Sequence, residues 1–179
     1  ASRTSPYDLF LLEINKPFEN WLILGRAGER TAHISFDDLG LPQGKEFLVY
    51  EFWSKRYLGS FTGGFDPGKI DSKFNCQVFC IRERVSHPQL LATSRHITCG
   101  GPDLIDCEWN NSTLIGKSDL VAKDSYTIYI YEPAEYEFKS FSCDGVKVTG
   151  ISKTGNIRQV TLTSDRSGNV KWNTDYMIR

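Results

Sequence analysis

Apolar and polar residues alternate in short runs along most of this chain, and the runs are rich in β-branched and aromatic side chains. That period of two is the signature of strands with one face buried. The clearest runs are Glu46 to Trp53, Phe74 to Ile81, Tyr126 to Tyr131, Ile157 to Leu162 and Val170 to Ile178. Turn residues stand between them. Asp144-Gly145 separates Ser140 to Cys143 from Val146 to Thr149 and predicts a tight hairpin, because both central positions of such a turn need positive φ. Gly155-Asn156 and Ser167-Gly168-Asn169 punctuate the chain in the same way. Ala and Met, strong helix formers, are scarce, and no long helical period is present. The expected fold is all-β: an antiparallel β-sandwich, as two successive small sandwiches.

The charged strand end Arg82-Glu83-Arg84 runs into Ser86-His87-Pro88, which cannot continue a central strand. A boundary is therefore expected there, giving domains 1–86 and 87–179, each large enough for a small sandwich. With 179 residues, 40% of them apolar and 13% aromatic, the chain can bury a real core and is not a disordered tail. A net charge of -1 without runs of like charge gives no long-range attraction to nucleic acid or anionic membranes, so nucleic acid is not an expected partner. No stretch reaches the roughly 18 apolar residues of a membrane span. The Ala-Ser-Arg start, without Met, suggests a processed product or a fragment.

One formal motif is present and fails on inspection. Gly63 to Lys69 reads G-x-x-x-x-G-K, but Ile70 stands where a magnesium-binding Ser or Thr is required, and Pro67-Gly68 reads as a tight turn rather than a phosphate cradle. His33, His87 and His96 are too few and scattered for a metal site or a triad. Of these, His96 is expected on a strand Thr93 to Ile97 in a structural hydrogen-bonding role. Asp103, Asp106 and Glu108 read as solvated loop carboxylates rather than calcium ligands. No metal or cofactor is expected. Cys76, Cys80, Cys99, Cys107 and Cys143 are odd in number and lack C-x-x-C spacing. Cys76 and Cys80 on one strand would stand roughly 13 Å apart, beyond disulfide reach. Cys99 and Cys107 could face each other across a hairpin, while buried free thiols are the ordinary alternative.

Sugars stack their apolar faces on exposed rings, so the aromatics are weighed as carbohydrate-binding candidates. Trp53, Tyr57 and Trp109 are the selected residues, Trp53 and Tyr57 because they border the polar loop Ser54-Lys55-Arg56. A core role is the alternative for each, as for Trp172. Asn110-Asn111-Ser112-Thr113 holds two overlapping glycosylation sequons and predicts an exposed turn between strands.

Several ordered segments together resemble the C-terminal β-sandwich region of α-galactosidase-like, melibiase-type glycoside hydrolases. Asn20 to Leu24 is similar to the family's first strand after its barrel, and Leu39-Gly40-Leu41 to the loop that follows. Val49-Tyr50-Glu51-Phe52-Trp53 with Leu58-Gly59 resembles the next strand and turn. His87 to Leu91 and Thr93 to Ile97 resemble a stretch of bacterial members with a second β-region. The resemblance covers most of the chain from about Asn20 onward. One departure is Gly25-Arg26-Ala27-Gly28, where the family commonly carries a Phe-Asn-Trp type sequence.

The resemblance implies a non-catalytic accessory region whose partner is a catalytic (β/α)₈ barrel in the same parent chain or complex, in an extracytoplasmic setting: periplasmic, secreted or lysosome-like. A carbohydrate-binding module is the alternative, with carbohydrate as the partner. Physical size agrees that the enzyme lies elsewhere, since such a barrel takes about 250 residues of alternating strand and helix. Retaining glycoside hydrolysis also needs two carboxylates about 5 Å apart, and the sequence gives no reason to pair any of Asp37, Asp38, Asp66, Glu132 and Glu135, read as exposed acids. No catalytic residue is assigned.

Overall fold

The computed structural model describes residues 8–30, 32–71 and 73–179, and every strand or helix assigned within them is a β-strand. The all-β, antiparallel expectation holds. Among the described residues no helix is long and apolar enough to cross a membrane. The chain divides into two compact units, one holding the first seven strands and the other residues 16–19 and 85–179.

In the first unit, β1 (Leu9–Asn15), β2 (Asn20–Arg26), β4 (Glu46–Glu51), β5 (Arg56–Thr62) and β7 (Gln77–Glu83) form one sheet in the order β1-β2-β7-β4-β5. A two-stranded ribbon of β3 (Ile34–Ser35) and β6 (Gly64–Phe65) supplies the second layer. Alternate positions of the sheet, Leu22, Leu24, Phe47, Val49, Phe79 and Ile81, meet Ile34, Phe36 and Phe65 in a buried cluster. Phe36 stands edge-on to Phe47, and Phe65 to Phe79, both with ring centroids 5.1 Å apart. Each such fully buried side chain contributes about 1.5–3 kcal/mol over an exposed one.

The second unit is a sandwich of two four-stranded sheets. One runs β12 (Tyr136–Cys143), β15 (Gly168–Ile178), β10 (Thr113–Leu120), β9 (Leu104–Asn110); the other runs β13 (Lys147–Thr154), β14 (Ile157–Thr163), β11 (Ser125–Tyr131), β8 (Gln89–Thr93). Tyr126, Ile128 and Ile130 of one sheet face Leu114, Val170 and Trp172 of the other in a single core. The β9–β10 hairpin turns through Asn111 and Ser112, both at positive φ, and Asn110 and Asn111 are exposed as the sequons predict. All five cysteines are free thiols.

Two local expectations are corrected. Asp144-Gly145 does not close a hairpin: β12 pairs with β15 and β13 with β14, so the turn crosses from one sheet to the other. Crossing lets Phe141 and Cys143 on one side of the turn and Val146 and Val148 on the other pack on the same core from opposite layers. At Gly155-Asn156 the expected turn does form, as a two-residue hairpin, with Thr154 facing Ile157 and Gly155 supplying the positive φ. Finally, β8 stops at Thr93, leaving Arg95 and His96 in the loop beyond, where His96 Nδ1 lies 2.8 Å from Thr98 Oγ1.

Candidate functional site

The loop from β4 to β5 is organised by one carboxylate. Glu51, 5% exposed at the end of β4, accepts from the N–H groups of Trp53 (3.2 Å), Ser54 (2.6 Å) and Val78 (3.2 Å), so it caps the turn and ties it to β7. Lys55, at φ 54°, completes the reversal. Trp53 is thereby set against Phe74, stacked at 5.1 Å and 14°, with Phe52 edge-on to it at 5.1 Å.

Phe74 reaches this position because the strand expected from Phe74 starts only at Gln77. Residues 73–75 instead turn, with the Asp71 carbonyl accepting from the N–H groups of Phe74 and Asn75 and with Asn75 at φ 55°. A bulge between Val49/Tyr50 and Gly59/Tyr57 leaves Leu58 unpaired on β5. Bulges re-aim side chains in this way, and Leu58 lines the same space as Trp53 and Phe74.

The facing wall is the Pro67-Gly68-Lys69 segment. Arg26 Nη1 donates to the Gly68 carbonyl at 2.8 Å and to Gln77 Oε1 at 2.7 Å, and Gln77 Nε2 donates to the carbonyls of Pro67 (2.9 Å) and Lys69 (3.2 Å). Arg26 and Gln77 are both buried. Gly68 adopts φ 71°, as a tight turn requires, and no helix follows. The segment therefore offers carbonyls to a buried clamp, whereas a phosphate cradle offers N–H groups ahead of a helix. The departure at Gly25-Arg26 acquires a role here, since Arg26 is half of the clamp.

Between these walls lies a cleft of about 320 Å³, lined also by Arg56, Asp71 and Cys76. Asp71 Oδ1 accepts from the Lys73 N–H at 2.8 Å. Trp53 Nε1 is buried with no hydrogen-bond partner among the described residues. The arrangement offers a ring wall, two cations and a carboxylate around a space of small-ligand size, at the lower end of the usual range.

The three selected aromatics fall in different settings. Trp53 forms a wall of the cleft. Tyr57 faces Tyr50 across the β4–β5 ladder and is not part of the lining. Trp109 lies on β9 in the second unit, half-buried, with His87 stacked on it at 4.9 Å and 4°, and Tyr136 and Tyr176 at 5.5 and 5.9 Å. Trp172 is fully buried and donates Nε1–H to Ser118 Oγ at 3.0 Å. Sequence reasoning missed Phe74, Arg56, Lys69 and Asp71. Their convergence depends on the turn at 73–75 and on the Arg26–Gln77 clamp, which joins segments more than forty positions apart.

Two acids expected in solvent are buried instead. Glu132, 1% exposed, accepts from Arg158 Nε (2.5 Å), Arg158 Nη2 (3.2 Å) and the Tyr176 hydroxyl (3.0 Å), and its Oε2 lies 2.8 Å from Lys153 Nζ. Asp103, also 1% exposed, accepts from Thr93 Oγ1 and the Tyr126 hydroxyl, each at 2.7 Å. Burial, together with the neighbouring carboxylate, raises the ionisation of Tyr126 and of Tyr176 well above the ordinary tyrosine range. In the first unit, hydrogen bonds from Ser60 and Arg84 hold the Glu46 carboxyl below its usual value. Among the described residues, no three His, Cys, Asp or Glu side chains are grouped to hold a metal ion.

Comparison with family models, with curated proteins and with solved structures finds no match for this chain.

Proposed function

We propose that this chain is a non-catalytic accessory β-sandwich region of an α-galactosidase-like glycoside hydrolase, which packs on and supports a catalytic (β/α)₈ barrel of the same parent protein or complex. The observation that carries this reading is the apolar edge strand β1. Phe10, Leu11 and Leu12 are 60%, 48% and 50% exposed, and β1 lies at an edge of its sheet, hydrogen-bonded to β2 alone among the described strands. Edge strands in water are ordinarily blunted by charge, Pro or bulges, and contiguous exposed apolar side chains mark interaction surfaces. Covering the exposed half of three such side chains is worth roughly 2–4 kcal/mol, enough to matter in a docking interface. The ordered resemblance of Asn20 to Leu24, Val49 to Trp53 and His87 to Ile97 supports the choice of partner.

The test is amide exchange along β1 in the chain alone and with the barrel part of its parent protein. Protection of Leu9 to Asn15 by the barrel, lost in a Phe10→Ser/Leu12→Ser variant, is the expected result. A barrel that neither associates with the chain nor alters exchange at β1 would reject the reading.

A second reading, a carbohydrate-binding module, is favoured by one feature: the Trp53–Phe74 wall of the cleft. Screening neutral and charged glycans at millimolar concentration tests it, and absence of binding to all of them sinks it.

A further inference from the structure

The cleft of the first unit is lined by two cations, Arg56 and Lys69, and two carboxylates, Glu51 and Asp71. Three cations elsewhere in that unit have carboxylate partners: Arg84 meets Glu46 at 2.5 Å, Lys45 meets Glu83 at 2.7 Å, and Arg30 lies 3.9 Å from Asp8. The side chains of Arg56 and Lys69, both exposed and both lining the cleft, have no ion pair or hydrogen bond among the described residues. The two carboxylates are held by backbone N–H groups rather than by these cations. Both Glu51 oxygens accept backbone N–H groups, and Asp71 accepts one. A guanidinium and an ammonium without ion pairs beside a stacked indole can hold an anion that also presents an apolar face.

We propose that this cleft binds an anionic saccharide, a sugar bearing a carboxylate or sulfate, with its ring against the Trp53–Phe74 wall and its acid group held by Arg56 and Lys69. A nucleotide is disfavoured by the same geometry, because the carbonyls of Pro67, Gly68 and Lys69 are turned to the Arg26–Gln77 clamp and no helix N-terminus follows. Asp71 and Ser54, also in the lining, supply partners for ring hydroxyls. The volume suits a single sugar residue. This proposal rests on the glycan-contact reading of Trp53 and adds the charge of the ligand to it.

The test titrates the full chain with galacturonic acid, galactose 6-sulfate and neutral galactose, following binding calorimetrically and Cys76 alkylation by peptide mass analysis. The expected result is saturable binding of a charged sugar at about 10 mM or below, at least about tenfold tighter than galactose. That binding should weaken between about 50 and about 500 mM salt. Ligand slows alkylation of Cys76, which lines the cleft, and leaves Cys107 on β9 unaffected. Carboxylate and sulfate arms separate the two acid groups. An Arg56→Gln/Lys69→Gln variant, whose exposed positions spare the fold, loses at least about tenfold in affinity. Failure of both charged sugars to bind, equal binding of galactose, or indifference to the double variant overturns the proposal. Of these, galactose binding that protects Cys76 would leave the glycan-contact reading standing.

Discussion

Replacing Glu132 by Gln should destabilise the second unit far more than a surface substitution would. The carboxylate stands just after β11, its side chain 0% exposed, and collects Arg158 from β14, Lys153 from β13 and Tyr176 from β15. It thus links the two sheets at one end of the sandwich. Gln keeps the shape and some hydrogen bonds but leaves two cations without their counter-charge. Lys153, 35% exposed, can turn to water. Arg158 is 12% exposed and packed over the Phe138 ring at 3.6 Å, so it cannot do so without losing that contact. Removing one partner of a buried pair costs about 3–5 kcal/mol. Relief of Lys153 places the expected loss near the lower figure, about 3 kcal/mol.

Urea unfolding at neutral pH checks this, followed by near-ultraviolet circular dichroism and by amide exchange within 85–179, because two units need not unfold together. At a slope of about 2 kcal/mol per molar urea, the midpoint of that unit should fall by roughly 1.5 M. An apolar replacement, Glu132→Leu with Arg158→Met, should recover much of the loss, since the surviving Lys153 is partly solvated. A Glu132→Gln midpoint corresponding to less than about 1 kcal/mol, the range of exposed ion pairs, would refute the reasoning.

Three further outcomes follow from the packing and the tyrosines. Gly116→Ala places a methyl group 2.0 Å from Cζ2 of the fully buried Trp172, so it should cost more than the usual 1–3 kcal/mol of overpacking, seen as a lowered melting temperature and a changed Trp circular dichroism band. Tyr126 and Tyr176 ionise at higher pH when folded than the ordinary value near 10. Their neutral forms therefore stabilise the fold fully below about pH 10, and that contribution is lost as pH rises, at about 1.4 kcal/mol per pH unit for each tyrosine. Urea midpoints measured on either side of pH 10 should fall less steeply in Tyr126→Phe or Tyr176→Phe, and an unchanged slope would contradict the assignment. Gln77→Ala removes the donor to the Pro67 and Lys69 carbonyls, and amide exchange across 66–71 should quicken about tenfold or more while the strands stay protected.

Strand identity was legible in the sequence because it follows from alternation, which each segment carries by itself. Tyr126 to Tyr131 and Val170 to Ile178 fall within β11 and β15. Pairing was less legible. Asp144-Gly145 has the composition of a hairpin turn, yet β12 pairs with β15 and β13 with β14 so that both flanks pack on a shared core, and tertiary packing prevails over turn preference. The burial of Asp103 and Glu132 was likewise hidden. An acid in a loop reads as solvated unless its donors are known, and the donors to Glu132 arrive from positions up to 44 residues away. Of the cleft, Trp53 was legible as an aromatic beside a polar loop, while the residues that give it a ligand-sized space depend on tertiary structure.

The buried acids also bear on where function resides. Glu51, Asp103 and Glu132 each accept hydrogen bonds that hold strands, turns or sheets together, so their chemistry is committed to the fold. What remains available lies at surfaces, and the first unit has two of different kinds. The apolar strand β1 is at one edge of the five-stranded sheet, and the cleft runs from the β4–β5 loop at the opposite edge to Gln77 on the central strand β7. At about 4.8 Å per strand spacing, β7 and β5 stand roughly 10 and 19 Å from β1. The exposed Phe10, Leu11 and Leu12 are not among the residues that line the cleft. The docking proposal and the saccharide proposal accordingly do not compete for one surface: Phe10→Ser/Leu12→Ser should leave ligand binding intact, and Arg56→Gln/Lys69→Gln should leave barrel association intact.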